Sequence, residues 1–401
     1  MKGIERMAKD SDTIVSDGGR NHAHHLDFQK TSKDGNEHHS WFRGEHTNKT
    51  PKLDQLFSVQ GMRDYVLHGF LPEEPPIDEA TQITAFGSCF ASNISGYLAR
   101  RNFAVAGREG DDNNAYVIRC GEGMVNTFVI RQQFEWAWEN RTFEGELWHG
   151  YKAEAYGYDE EVRKATKAIF DRTDVFILTL GLSEVWYDEP TGNVFWRTIP
   201  KDVYDPERHR FRVASVSENK DNIAAICALI RKHRPEAKIV LTLSPIPLIA
   251  TFRDQSCLAS NEVSKATLRV ALDEFLRENP GAAYYWPSYE IVRQVFDGGL
   301  KEDMRHPDPT IINFIMSLFE LTWCKDRADK VDVNTRLGLA HVASGRMLPF
   351  LGRILRRRDT EALKEFMDRK NVANKLDDDC EAAVRDLLAE IEAEWERVPK
   401  I

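Results

Sequence analysis

The chain has 401 residues, 42% of them hydrophobic and 29% charged, which is room for one large domain or two ordinary ones and too apolar overall for a disordered protein. Lys and Arg number 54 against 64 Asp and Glu, a formal net charge of −10. A general nucleic-acid binder needs surplus cations to displace counterions from phosphates, so that class is excluded. No apolar run reaches the roughly 18 residues of a membrane helix.

The start, Met1-Lys2-Gly3-Ile4-Glu5-Arg6, lacks the apolar core of a secretory signal, and the six cysteines form no CxxC pair. Reduced thiols and a cytoplasmic location are the expectation. Residues 1–40 are rich in Asp, Lys, Gly, Asn and His without a hydrophobic period, which predicts a disordered tail. Its histidines, including His22, His24, His25, His38 and His39, lie on nothing rigid enough to set a coordination geometry, so no metal site is assigned.

Order is expected from Trp41-Phe42, and from Ile83 strand and helix patterns alternate. Ile83 to Phe86 reads as a strand ending at Gly87, Phe90 to Arg101 as a helix, and Phe103-Ala104-Val105 as a second strand. Helices over Met124 to Glu139 and Asp159 to Asp171 precede Val175 to Leu180, a β-branched run typical of a strand buried on both faces. Glu184 to Ile199 predicts a hairpin turning at Thr191-Gly192-Asn193. Ile223, Ile226, Cys227 and Ile230 share one helix face, Lys238 to Leu243 is a strand, and Leu268, Ala271, Leu272 and Phe275 mark another helix. Ala282 to Trp286 is the last strand. The alternation predicts a three-layer α/β/α domain over 41–329 with a mainly parallel sheet.

A helical extension is expected over 330–401, with helices at Leu339 to Arg358, Thr360 to Arg369 and Asp377 to Val398. It could serve as an appendage, a lid or a surface for homo-oligomer formation. Asp377-Asp378-Asp379 suits the positive end of a helix dipole. Arg356-Arg357-Arg358, among acidic residues, reads as a solvated helix end.

Reactive groups in open α/β sheets gather beyond the carboxyl ends of the strands. After the first strand comes Gly87-Ser88-Cys89-Phe90-Ala91, a glycine turn that sets a serine at a helix start. Ser88 is there either a cap or a nucleophile. After the last strand, Asp303 and His306 are separated by three positions, so one tight turn lets the carboxylate orient the imidazole. Asp308-Pro309 then reads as a helix start. Cys89, beside Ser88, is read as a structural thiol.

The run Gly-Ser-Cys-Phe-Ala at 87–91 and the Asp303–His306 block resemble the GSCFA family, which is similar to the SGNH (GDSL-type) hydrolases. That resemblance, over roughly 41–329, implies a three-layer α/β enzyme with a Ser88–His306–Asp303 triad. It acts on an acylated small molecule or saccharide, without metal or redox cofactor. It also implies oxyanion donors: the Ser88 backbone N–H, Gly123, Asn126 as a side-chain donor, and Ser183 in the slot where SGNH enzymes carry asparagine. Gly121 would permit the turn, and Glu184 would hold a sugar hydroxyl or organise Ser183. Trp186 is either a platform for a sugar ring or hairpin core. The implied activity is hydrolysis of O-acyl, acetyl-like esters on a carbohydrate. A polysaccharide O-acyltransferase with the same triad and a non-catalytic carbohydrate-binding or scaffold protein are the alternatives.

Overall fold

The structure, a computed structural model, describes residues 11–14, 25–32, 35–42, 48–107, 115–119, 123–145, 147–148, 157–296, 299–325 and 328–344, the first three spans by their backbone alone. The chain divides into two compact units, Met1–His68 and Gly69–Ile401. In the first unit, β1 (Ser11–Ile14), β2 (His25–Ser32) and β3 (Gly35–Phe42) pair antiparallel in that order. These strands lie in the stretch expected to be a disordered tail. A missing apolar period argues against a packed face, but ladder bonds are made by main chain, and Gln29 pairs with His38 and Phe28 with His39 all the same. Helix α1 (Val59–Tyr65) starts at Ser58, whose Oγ accepts from Gly61 N at 3.1 Å.

The second unit runs β4 (Ile83–Gly87), α2 (Cys89–Arg100), α3 (Tyr116–Arg119), α4 (Thr127–Glu139), α5 (Glu160–Arg172), β5 (Val175–Leu180), β6 (Glu184–Asp188), β7 (His209–Val213), α6 (Val216–His233), β8 (Lys238–Leu243), α7 (Cys257–Glu278), β9 (Tyr284–Tyr285), α8 (Ser288–Glu290), α9 (Pro309–Trp323) and α10 (Lys330–Ala343). The central sheet is parallel in the order β4-β5-β8-β9. Val105 joins the free edge of β4: Ile83 N donates to Ala104 O at 2.8 Å and Ala106 N to Ile83 O at 2.9 Å. The first strand therefore lies between the second and the third, and the winding direction reverses between β4 and β5. A reversal of this kind opens a crevice at the carboxyl ends of the two strands it separates.

Helices α2, α9 and α10 form one packed group, and α5, α4, α6 and α7 the other, making a three-layer α/β/α sandwich. All six residues of β5 are buried, as a strand covered on both faces requires. Phe86 from β4 and Phe176 from β5 meet Phe134 of α4 and Phe170 of α5, with ring centroids of Phe134 and Phe170 4.6 Å apart. Trp286 and Phe319 pack edge to face at 5.2 Å against the other layer.

The predicted hairpin is different in detail. β6 pairs antiparallel with β7, and the nearer segment after Thr191-Gly192-Asn193 contributes one bridge, Tyr187 to Val194. β7 is His-Arg-Phe-Arg-Val and half-buried, so it carries no apolar run to announce it. Helix α9 starts as expected, Asp308 Oδ1 accepting from Thr310 N at 2.8 Å with Pro309 in the first position. Helix α10 begins nearer the domain than Leu339. The helices expected at Thr360–Arg369 and Asp377–Val398 lie outside the described residues. Among the described residues, no helix is long and apolar enough to cross a membrane.

Candidate functional site

Gly87 has φ +130°, and a Cβ there would lie 2.1 Å from the carbonyl oxygen of Thr179 on β5. Only glycine fits, because neither strand's main chain can yield. The turn sets Ser88 as the N-cap of α2, its Oγ accepting from Phe90 N at 3.2 Å. Thr179 grips the same residue: Ser88 N donates to Thr179 Oγ1 at 2.6 Å and to its carbonyl at 3.2 Å, and Thr179 Oγ1 donates to Ser88 Oγ at 3.1 Å. The Ser88 N–H, expected to be an oxyanion donor, is therefore taken up by β5. Phe90 and Ala91 are buried and anchor the first turn of α2.

Ser88, 5% exposed, borders a cavity of about 290 Å³ at the reversal point of the sheet. Cys89, Asn126, Gly181 and Glu184 share its wall, as do Arg197 and Arg305. Gly181 lies close to the serine: a Cβ there would sit 3.6 Å from Ser88 Cβ. Asn126 caps α4 with Oδ1, which accepts from Val129 N at 3.0 Å, so its Nδ2 remains a donor toward the cavity.

Two expected donors lie elsewhere. Ser183 is fully buried and turned to α7, with its N and Oγ 2.8 and 3.3 Å from Ser264 Oγ. Arg197 lies against Gly123, its Nε 3.1 Å from where a Cβ would be, and Gly123 does not line the cavity. Gly121 is outside the described residues. Glu184 accepts from Thr251 Oγ1 at 2.8 and 3.0 Å and leaves Ser183 alone. Trp186 is both packing and wall, half-buried among Tyr204, Phe211 and Phe252 with centroids 5.3–6.1 Å away. Thr179 and Lys265 were missed in the sequence. Lys265, 1% exposed, donates to Gly181 O at 2.6 Å and Ile246 O at 2.9 Å and so ties together the loops after β5 and β8. Burial pushes its ammonium pKa down to about 7.

The Asp303–His306 turn is built as expected. Asp303 Oδ2 meets His306 Nδ1 at 2.6 Å, and Oδ1 accepts from Arg305 N and His306 N, both at 2.9 Å. The bond to His306, then the two backbone bonds, hold the Asp303 carboxyl well below the usual carboxylate range. Met304, inside the turn, takes the left-handed conformation at φ 57° and is 65% exposed. His306 lines a second cavity of about 260 Å³ together with Ser92 and Asn93, one turn along α2 from Ser88. No hydrogen bond joins His306 to Ser88 among the described residues; Arg305 is the residue of this turn that borders the serine's cavity.

The GSCFA family model matches residues 82–319, more than half of the chain. The chain belongs to the GSCFA family. The matched span holds both cavities, Ser88 and the Asp303–His306 turn, and leaves out β1 to β3 and α10. No curated protein matches the chain. In this GSCFA chain the run at 87–91 divides its work: Gly87 permits the close approach of β5, Ser88 caps, Cys89 forms cavity wall, and Phe90 and Ala91 fill the core. Cys227 and Cys257 are free thiols, and burial pushes Cys227 up to about 12. Among the described residues, no group of three His, Cys, Asp or Glu side chains is arranged to hold a metal.

Proposed function

We propose that this protein is a serine esterase of SGNH type that cleaves O-acyl esters on a carbohydrate through an acyl-enzyme. One observation supports this above the others: Ser88 borders a cavity at the reversal point of the sheet, while the His306 of a closed Asp303–His306 pair lines a second cavity beside Ser92 and Asn93, one turn further along α2. Ser88 Oγ attacks the acyl carbonyl as His306 Nε2 takes its proton, with Asp303 holding Nδ1. Asn126 Nδ2 donates to the oxyanion. The alcohol leaves with the proton from His306, and water releases the acyl group by the same steps. Catalysis requires the exposed turn at 301–307 to carry the imidazole to Ser88, and Ser88 Oγ to leave its cap on Phe90 N.

Turnover of 4-nitrophenyl acetate tests the assignment. Ser88→Ala lowers kcat/KM by about a thousand-fold or more, whereas Cys89→Ala keeps most of it. Full activity in the serine variant, with loss in the cysteine variant, would transfer the role to the thiol. A second reading, a carbohydrate-binding protein on the same fold, is favoured by the hold of Thr179 and Phe90 on Ser88 Oγ. It predicts no turnover in the wild-type protein.

A further inference from the structure

The Ser88 cavity is lined by donor-bearing side chains, Arg197 and Arg305 among them. Trp186 Nε1 and Arg305 Nε are buried without a partner, and both residues line it. Asn126 Nδ2 adds a third donor, since only Oδ1 is used by the cap. Glu184, the carboxylate on this wall, already accepts from Thr251 and meets none of these donors.

Charge points the same way. The chain carries −10 overall, yet Arg197 and Arg305 both face this cavity. The adjoining cavity around His306 is lined by Arg100 and Lys301, with no carboxylate among the described lining residues. Cations gathered on the walls of a partly desolvated cleft raise the local concentration of anions and bind them in preference to neutral isosteres. The opposite wall is apolar: Trp186, Ile246 and Leu248, with Ile249 and Phe252 exposed by 79% and 48% at its rim. Such a wall suits the hydrocarbon part of a substrate.

We propose that the cavity takes an ester bearing a carboxylate or phosphate close to the scissile bond, its oxygens held by the Arg305 guanidinium beside Ser88. That it is an ester rests on the function proposed above; the preference for an anion does not. Arg305 stands in the turn between Asp303 and His306, its N–H held by Asp303 Oδ1 at 2.9 Å. An anion on Arg305 is therefore coupled to the position of the imidazole.

The probes are 4-acetoxybenzoate and its neutral methyl ester, with 4-acetoxyphenyl phosphate as the phosphate arm, each corrected for its spontaneous hydrolysis. The ratio of kcat/KM, anionic over neutral, is expected to be about ten- to a hundred-fold in the wild-type protein, as one charge-assisted bond supplies. It falls toward one in Arg305→Gln, recovers in part in Arg305→Lys, and shrinks with added salt. The larger of the carboxylate and phosphate ratios names the source of the anion. A ratio near one in the wild-type protein, or one unchanged in Arg305→Gln, overturns the proposal and leaves the esterase standing. If no ester is cleaved, the esterase reading has failed, and calorimetry with 4-methoxybenzoate against its methyl ester decides the anion on its own. Tighter binding of the acid, lost in Arg305→Gln, supports the proposal, and equal affinities overturn it.

Discussion

The serine side of the candidate site and the histidine side are built in opposite ways. Ser88 is fixed by the sheet itself: Thr179 bonds its N–H and its Oγ, Gly87 lets β5 approach, and Lys265 pins the neighbouring loop at Gly181. His306 sits on an exposed turn held by Asp303 and strained at Met304, with side-chain exposures of 46% for Asp303 and 41% for His306. Main-chain contacts between buried strands leave little freedom, whereas this surface turn is closed on itself, by Asp303 and by Lys301 N donating to His306 O at 2.8 Å, and so can move as a unit. On the proposed mechanism, Ser88 is preset and His306 is the part that has to arrive.

Asn126 probes the fixed side most severely. Asn126→Asp keeps an acceptor for Val129 N but loses the Nδ2 donor. Ester turnover is expected to fall about a hundred- to a thousand-fold, while the α4 cap is kept and stability falls only by the cost of burying the new carboxylate. Steady-state kinetics alongside thermal unfolding separates the two effects. Retained turnover with lowered stability would make Asn126 a cap alone.

Lys265 offers a smaller, pH-dependent effect. Its pKa falls from 10.5 to about 7 on folding, so between those values the folded chain binds fewer protons at this site than the unfolded chain. This group therefore makes stability rise with pH across that window and adds no slope below it, where the lysine is charged in both states. Denaturant unfolding at several pH values should show the wild-type protein gaining on Lys265→Met from about pH 7 to about pH 10. A constant difference would mean that the lysine is not buried with a depressed pKa.

The sheet was largely legible because Val175–Leu180 and Lys238–Leu243 are apolar enough to be buried on both faces, and each is met by helices at the expected places. β7 was not legible, since a half-buried His-Arg-Phe-Arg-Val strand pairs through main chain with a partner far along the sequence. In the site, Ser88, Asn126 and the Asp303–His306 contact follow from short local patterns. The resemblance to SGNH enzymes implied a slot for Ser183 but not a direction, and packing against Ser264 turned it inward. Thr179 looks like any β-branched strand residue, and Lys265 like any lysine on a helix, until the fold brings them against Ser88 and Gly181. Arg305 stood inside the motif itself, and only the turn's geometry sends it, rather than His306, to the serine's cavity.

Reaction with a fluorophosphonate, mapped by peptide mass spectrometry, probes the nucleophile and its base together. One adduct is expected, on Ser88, forming about a thousand-fold more slowly in Asp303→Asn, because the imidazole then lacks its orienting carboxylate. An unmodified Ser88, or equal rates in the two proteins, would contradict a serine activated by the Asp303–His306 pair.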